Sequence, residues 1–215
     1  MRVYPSSRLL KERDRNPYIN GSPIHATVKI GAFFEKEVKA RKAYVVLATV
    51  DPKHYEKTNL ELVKHMIREK KIPGVYVTLN KPYDTVKERF DSFGIDTDKI
   101  IFIDAVSKPA GGGIMKTKHC LFIGNPENLS DISLAMDQAV RAFPHDKFLF
   151  FDSLSTLLLY NSSQTVARFI HFMASKMRLW GVQGIIISLH KTVDKDLIAD
   201  LSQFCDVIID FGRAT

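Results

Sequence analysis

A mostly parallel, twisted β-sheet with helices on both faces is the fold class this sequence predicts. Two observations carry it. Short runs of almost uniform apolar character recur along the chain, at Ala43–Thr49, Val75–Leu79, Ile100–Asp104, Phe148–Phe151, Gly184–Leu189 and Asp206–Asp210. Strands buried on both faces read this way, whereas half-exposed strands alternate. Between the runs lie segments with helical spacing of apolar residues. That alternation demands a sheet covered on each side, with right-handed crossovers.

The elements follow in order. Residues 1–30 carry Pro5, Pro17, Gly21 and Pro23 and read as an irregular basic arm, so a single α/β domain is expected over 31–215. Residues 33–42 suit one short basic helix, and the run 43–49 is the first strand. Leu60, Val63 and Ile67 share one stripe of a helix over 59–71. After the strand 75–79, Val86, Phe90 and Phe93 mark a helix ended by Gly94. The strand 100–104 leads to Gly111–Gly113, set among Lys108, Lys116 and Lys118. Three adjacent glycines are costly to order, so a mobile hairpin or loop tip is expected. A phosphate cradle is the alternative, but no helix start follows directly.

Cys120–Ile123 is a short strand. Ile132, Ala135, Ala139 and Phe143 point inward from a helix over 130–143. Phe148–Phe151 runs into Asp152 and Ser153. Val166, Ile170, Met173, Met177 and Trp180 then keep one stripe through the clearest helix, 163–180, and read as core. A strand at 184–189, a helix at 195–204 and a strand at 206–210 close the domain. The two cysteines, Cys120 and Cys205, show no CxxC or Cys/His pattern and read as buried free thiols.

Composition narrows the function classes. A chain of 215 residues buries roughly 70–75% of its unfolded surface and needs no disulfide or metal staple. No segment approaches the ~18 apolar residues of a membrane span, and Met1–Pro5 lacks a signal-peptide core. The expected location is therefore the cytoplasm. Net charge is +7, with basic residues from Arg8 to Lys42 spread among few aromatics. Such a surface permits nucleic-acid contact but carries no aromatic–basic groove pattern.

Ligands of open parallel sheets bind beyond the carboxyl ends of the strands. After the first strand the sequence reads Asp51-Pro-Lys-His-Tyr-Glu-Lys57-Thr58. A phosphate-binding loop at this point needs G-x-x-x-x-G-K-[ST]. Lys57 and Thr58 match its end, while Asp51 and Glu56 replace the two glycines. Each carboxylate would face a polyphosphate at a cost of about 3 kcal/mol per unit charge, at ~5 Å and an effective dielectric near 20. Pro52 removes one N–H donor. Lys57 as a solvated lysine, and Thr58 as the N-cap of a helix starting at Asn59 or Leu60, are the plain alternatives.

Phe148–Asp152 has the form of a Walker B strand, whose aspartate holds Mg²⁺ through water. The end of the second strand offers Asn80 and Lys81, neither a general base. Asp84 is the nearest carboxylate, placed to cap the next helix. His190, after the strand 184–189, could meet a phosphate or simply be a satisfied strand-end histidine.

These features together resemble the archaeal RecA-superfamily ATPases of the KaiC/RadA type. The matching pieces are Lys57-Thr58, Val75–Leu79, Phe151–Ser155, Ile185–His190 and Asp206–Asp210, over roughly residues 30–212. The resemblance implies a RecA-like P-loop NTPase architecture, ATP and Mg²⁺ binding, ring or filament assembly and hydrolysis between subunits. Carried over, Lys57 meets the phosphates, Thr58 the Mg²⁺ and Asp152 the metal's second shell. The glycines at 51 and 56 are missing, and the family's paired glutamates after the second strand are Asn80 and Lys81. The expectation is therefore a degenerate paralogue, not a working enzyme and without a nucleotide cofactor. It would act as a regulatory or scaffolding module with a protein partner or a second copy, using the basic arm and the Gly111–Gly113 loop. A weak ATP-binding switch or residual ATPase using Lys57, Thr58 and Asp152, and a nucleic-acid-binding accessory protein, are the alternatives.

Overall fold

In the computed structural model the described residues are 30–39, 41–107, 115–190 and 195–211. The basic arm and the Gly111–Gly113 loop, both expected contact elements, lie outside them. The described chain runs α1 (Ile30–Val38), β1 (Tyr44–Val50), α2 (Tyr55–Lys64), β2 (Gly74–Thr78), α3 (Tyr83–Ser92), β3 (Ile100–Asp104), β4 (Met115–Lys116) and β5 (Cys120–Phe122). It continues with α4 (Leu129–Arg141), β6 (Phe148–Asp152), α5 (Leu154–Tyr160), α6 (Ser163–Leu179), β7 (Gln183–Leu189), α7 (Lys195–Ser202) and β8 (Val207–Asp210).

The strands form one sheet in the order β4-β5-β3-β2-β6-β7-β1-β8. Every pairing is parallel except β4 with β5. β1, β2 and β6 are buried at every position, which is why their sequences are continuously apolar. One face packs Val46, Tyr76, Phe148 and Phe150 under α1, α2 and α3. The other packs Leu47, Val77, Leu149 and Phe151 under α4, α6 and α7. The stripe of α6 is core as expected: Val166, Ile170, Met173 and Met177 are buried, with Trp180 packed against them.

Local physics explains the ends. Gly94 follows α3 at φ 73°, a conformation that favours a residue without Cβ. Asn128 and Ser162 cap α4 and α6 by accepting the N–H of Asp131 and Thr165. Asp84 does not cap α3: the helix begins one residue earlier, and the Tyr83 N–H donates to Asp104 instead, at 2.8 Å. The sequence reading also lacks α5 and β4. α5 is only seven residues long, too short for periodicity to register. Both cysteines are free; Cys120 is buried in β5, while Cys205 is only partly buried, between α7 and β8.

Gly74 opens β2 flat against the Phe148 ring, with no room for a Cβ. Phe148 is fully buried and cannot yield. Gly74→Ala is expected to destabilise the protein by about 1–3 kcal/mol in urea unfolding, and Phe148→Leu in the same chain should recover part of that loss.

Candidate functional site

The carboxyl ends of β1, β2, β6 and β7 converge at one rim of the sheet. Only four residues, 51–54, join β1 to α2. This link folds on itself. The Asp51 carboxylate accepts the Lys53 N–H at 2.8 Å and the Asp51 carbonyl accepts the His54 N–H at 2.9 Å. Pro52 has no N–H. Two of the amides that a phosphate loop would turn toward its ligand, those of Lys53 and His54, are thus engaged within the loop.

α2 then begins at Tyr55, which corrects the reading of Thr58 as an N-cap: Thr58 lies inside the first turn, and its N–H donates to the His54 carbonyl. The Thr58 side chain is fully buried and its hydroxyl has no hydrogen-bond partner. Lys57 points to solvent. Glu56 sits in the first turn, where a helix N-terminus favours negative charge. It pairs with Arg89 of α3 and lies 4.0 Å from Lys81, so much of its charge is offset.

Asp152 is the centre of the arrangement. It ends β6 opposite Thr78 of β2 and is 3% exposed. Its Oδ1 accepts the Tyr55 hydroxyl and its Oδ2 accepts the Tyr76 hydroxyl at 2.5 Å. Asn80, just past β2, donates its Nδ2 to the Tyr55 oxygen at 2.7 Å. Asn59 completes the group, with its Oδ1 buried and unpartnered. Burial pushes the Asp152 carboxyl above the usual range, although hydrogen bonds from Tyr55 and Tyr76 pull the other way. Burial and the adjacent carboxylate likewise push both phenols far above their ordinary values, so they remain donors.

Tyr76 is fixed by packing. Its ring stacks on Phe150, the residue opposite it in β6, with centroids 5.1 Å apart, and meets Phe90 edge-on. Above this floor a cleft of about 360 Å³ opens between α2 and α3. Leu60, Val86 and Phe90 give it apolar walls, and Glu56, Lys81 and Arg89 stand at its mouth.

Of the residues expected to hold nucleotide or metal, Asp152 lines this cleft; Lys57, Thr58 and His190 do not, while Glu56 and Lys81 stand at its mouth. His190 follows β7, its N–H bonded to the Val50 carbonyl and its Nε2 2.5 Å from Asp210 Oδ1. It is a paired strand-end histidine bridging β7 to β8 across the end of β1. Tyr55, Tyr76 and Asn59 were missed. Tyr55 carried one signal, an aromatic in the middle of a stretch that elsewhere matches a phosphate loop. Tyr76 is indistinguishable in sequence from its strand neighbours until β2 is known to pair with β6.

ATP and Mg²⁺, which the fold resemblance implies, do not fit the residues as they stand. The Lys53 and His54 amides are engaged, Pro52 has none, a tyrosine hydroxyl holds the Asp152 oxygen a hydrated metal would need, and Lys57 lies outside the cleft.

The sheet order and the placement of this rim define a RecA/KaiC-like fold. Two structures from Pyrococcus horikoshii are among the solved structures that superpose on it. The KaiC-like protein PH0186 from the hyperthermophilic archaeon Pyrococcus horikoshii OT3 superposes with a TM-score of 0.59 and 18% identity, over 78% of this chain and 71% of that one. The uncharacterized protein PH0321 from Pyrococcus horikoshii, crystallised in complex with an unknown peptide, gives 0.62 and 12%, over 86% and 84%. No curated protein matches. Residues 46–211 match a family of unknown function, DUF7504, and the chain belongs to it.

Proposed function

We propose that this chain is a degenerate paralogue of the archaeal RecA/KaiC-like ATPases. In this reading it has lost nucleotide turnover and works in the cytoplasm as a regulatory or scaffolding module through protein contacts. The carrying observation is the state of Asp152: both carboxylate oxygens are held by tyrosine hydroxyls, behind a loop whose amides close on Asp51. A site built for Mg·ATP leaves those groups for its ligand.

Protein contact draws support from the opposite face. Between α4 and α6 an open groove of about 520 Å³ exposes Leu134 and Phe172, each about half accessible. Apolar side chains grouped in a groove are a usual mark of a docking surface. The structural neighbour PH0321 was itself found with a peptide. The partner is a second copy or another protein.

Thermal denaturation with Mg·ATP tests the reading. A ligand at 100 times its Kd adds about 2.7 kcal/mol of stability. The expected result is no rise in Tm at millimolar Mg·ATP; a rise abolished by Lys57→Ala would overturn it. A second reading, an ATP-binding switch using Lys57, Thr58 and Asp152, has one observation in its favour: the Thr58 hydroxyl is buried with no partner. For that switch to work, Tyr55 must swing away from Asp152, and Tyr55→Ala should then create ATP binding that the parent lacks.

A further inference from the structure

We propose that the cleft between α2 and α3 binds an organic cation, a guanidinium or primary ammonium on an apolar stem, with the Asp152 carboxylate as its counter-ion. The proposal rests on the reading that nucleotide does not occupy this rim.

Charge is the first support. Asp152 is almost wholly buried, and among the described residues it makes no ion pair. The side chains that hydrogen-bond it, Tyr55, Tyr76 and Asn59, are all neutral. A buried carboxylate held only by neutral donors lacks the charge compensation that such groups ordinarily have. Lys81 acts on Asp152 only through its field, and both Lys81 and Arg89 pair with Glu56 at the mouth.

The floor is also rich in acceptors. Each phenol oxygen donates to Asp152, the Asn59 Oδ1 has no partner, and the carboxylate has lone pairs beyond the two in use. A ligand that accepts hydrogen bonds finds little here, whereas one that brings N–H groups and positive charge complements the floor. Leu60, Val86 and Phe90 supply walls for an apolar stem, and about 360 Å³ admits one group the size of an arginine side chain. Guanidinium adds a fit that ammonium lacks, because its plane can lie against the half-buried Tyr55 ring. The raised pKa of Asp152 agrees with a carboxylate short of positive charge.

Such a cation can come free in solution or on a partner's side chain, and titration of the full chain separates the two. The probes are n-butylguanidinium, the isosteric but neutral N-butylurea, the blocked peptide acetyl-Gly-Arg-Gly-amide, and magnesium chloride. n-Butylguanidinium is expected to bind saturably, and N-butylurea at least about tenfold more weakly. Asp152→Asn should weaken the guanidinium by at least a similar factor. Should D152N fail to fold, Thr85→Trp, at an exposed position on the cleft wall, should block binding in a folded protein. Affinity should also fall as the pH is lowered and Asp152 takes up a proton. A peptide that binds better than n-butylguanidinium assigns the site to a partner's arginine; a weaker one assigns it to a free small molecule. Absence of saturable guanidinium binding, equal binding of the urea, binding untouched by both D152N and T85W, or a response to magnesium alone would each overturn the proposal. Stabilisation by Mg·ATP would instead overturn the functional reading above, so the two failures are distinguishable.

Discussion

Tyr76→Ala should cost the protein about 3–5 kcal/mol of stability, the range for deleting a buried aromatic side chain. Tyr76 is 2% exposed, stacked on Phe150 and edge-on to Phe90, so no neighbour can close the hole cheaply. The companion Tyr76→Phe keeps the ring and removes only the hydroxyl that donates to Asp152. It should cost about 1–3 kcal/mol, the range for leaving a buried polar group unpaired. Urea denaturation followed by circular dichroism measures both. A Tyr76→Phe loss as large as that of Tyr76→Ala would mean the hydrogen bond carries nearly all of the residue's contribution. No loss at all in Tyr76→Phe would mean that Asp152 does not depend on this donor.

The second large effect is in the pH dependence of Asp152. Burial lifts its carboxyl above the ordinary range, so the folded state holds the proton to higher pH than the unfolded chain does. With more protons bound in the folded state, stability from this group is present at low pH. It is lost as the pH rises from the unfolded value through the raised one. Inside that window the loss is at most about 1.4 kcal/mol per pH unit. Other carboxylates titrate the opposite way: Asp91 is held low by Lys87, and Asp137 by Arg141. They are common to parent and variant, so the stability difference between wild type and Asp152→Asn isolates the single group. That difference should fall steadily from about pH 4 upward. A flat difference up to about pH 8 would contradict a raised carboxyl.

The fold was legible because its signals are local. Continuous apolar runs mark β1, β2, β6 and β7, and the Val166–Met177 stripe marks α6; each reflects burial that a sequence window can sense. The candidate site was legible only in part. Asp152 was found from the strand that carries it. Its partners were not, because Tyr55 and Tyr76 are 97 and 76 residues away; Tyr76 meets it through the pairing of β2 with β6, and Tyr55 through the packing of the α2 start over that rim. Glu56 shows the converse: its charge was visible in the sequence, while the Arg89 and Lys81 that offset it belong to the next helix and the loop before it. Thr58 passed for a cap because α2 starts at Tyr55, five residues ahead of Leu60, the first apolar stripe position that could reveal it.

The place of β1 in the sheet governs how the chain can be cut or grown. β1 is the first strand in sequence, yet both its neighbours, β7 and β8, come from the far end, with Tyr44 lying beside Gln183. Native loop closures of this span are slow to form. On a ribosome, β1 would emerge with neither ladder partner yet made and so stand as an open, apolar edge, prone to wrong pairings. A fragment that stops before residue 183 therefore leaves β1 without its lattice, and is expected to aggregate or stay unfolded even though six of its strands are intact.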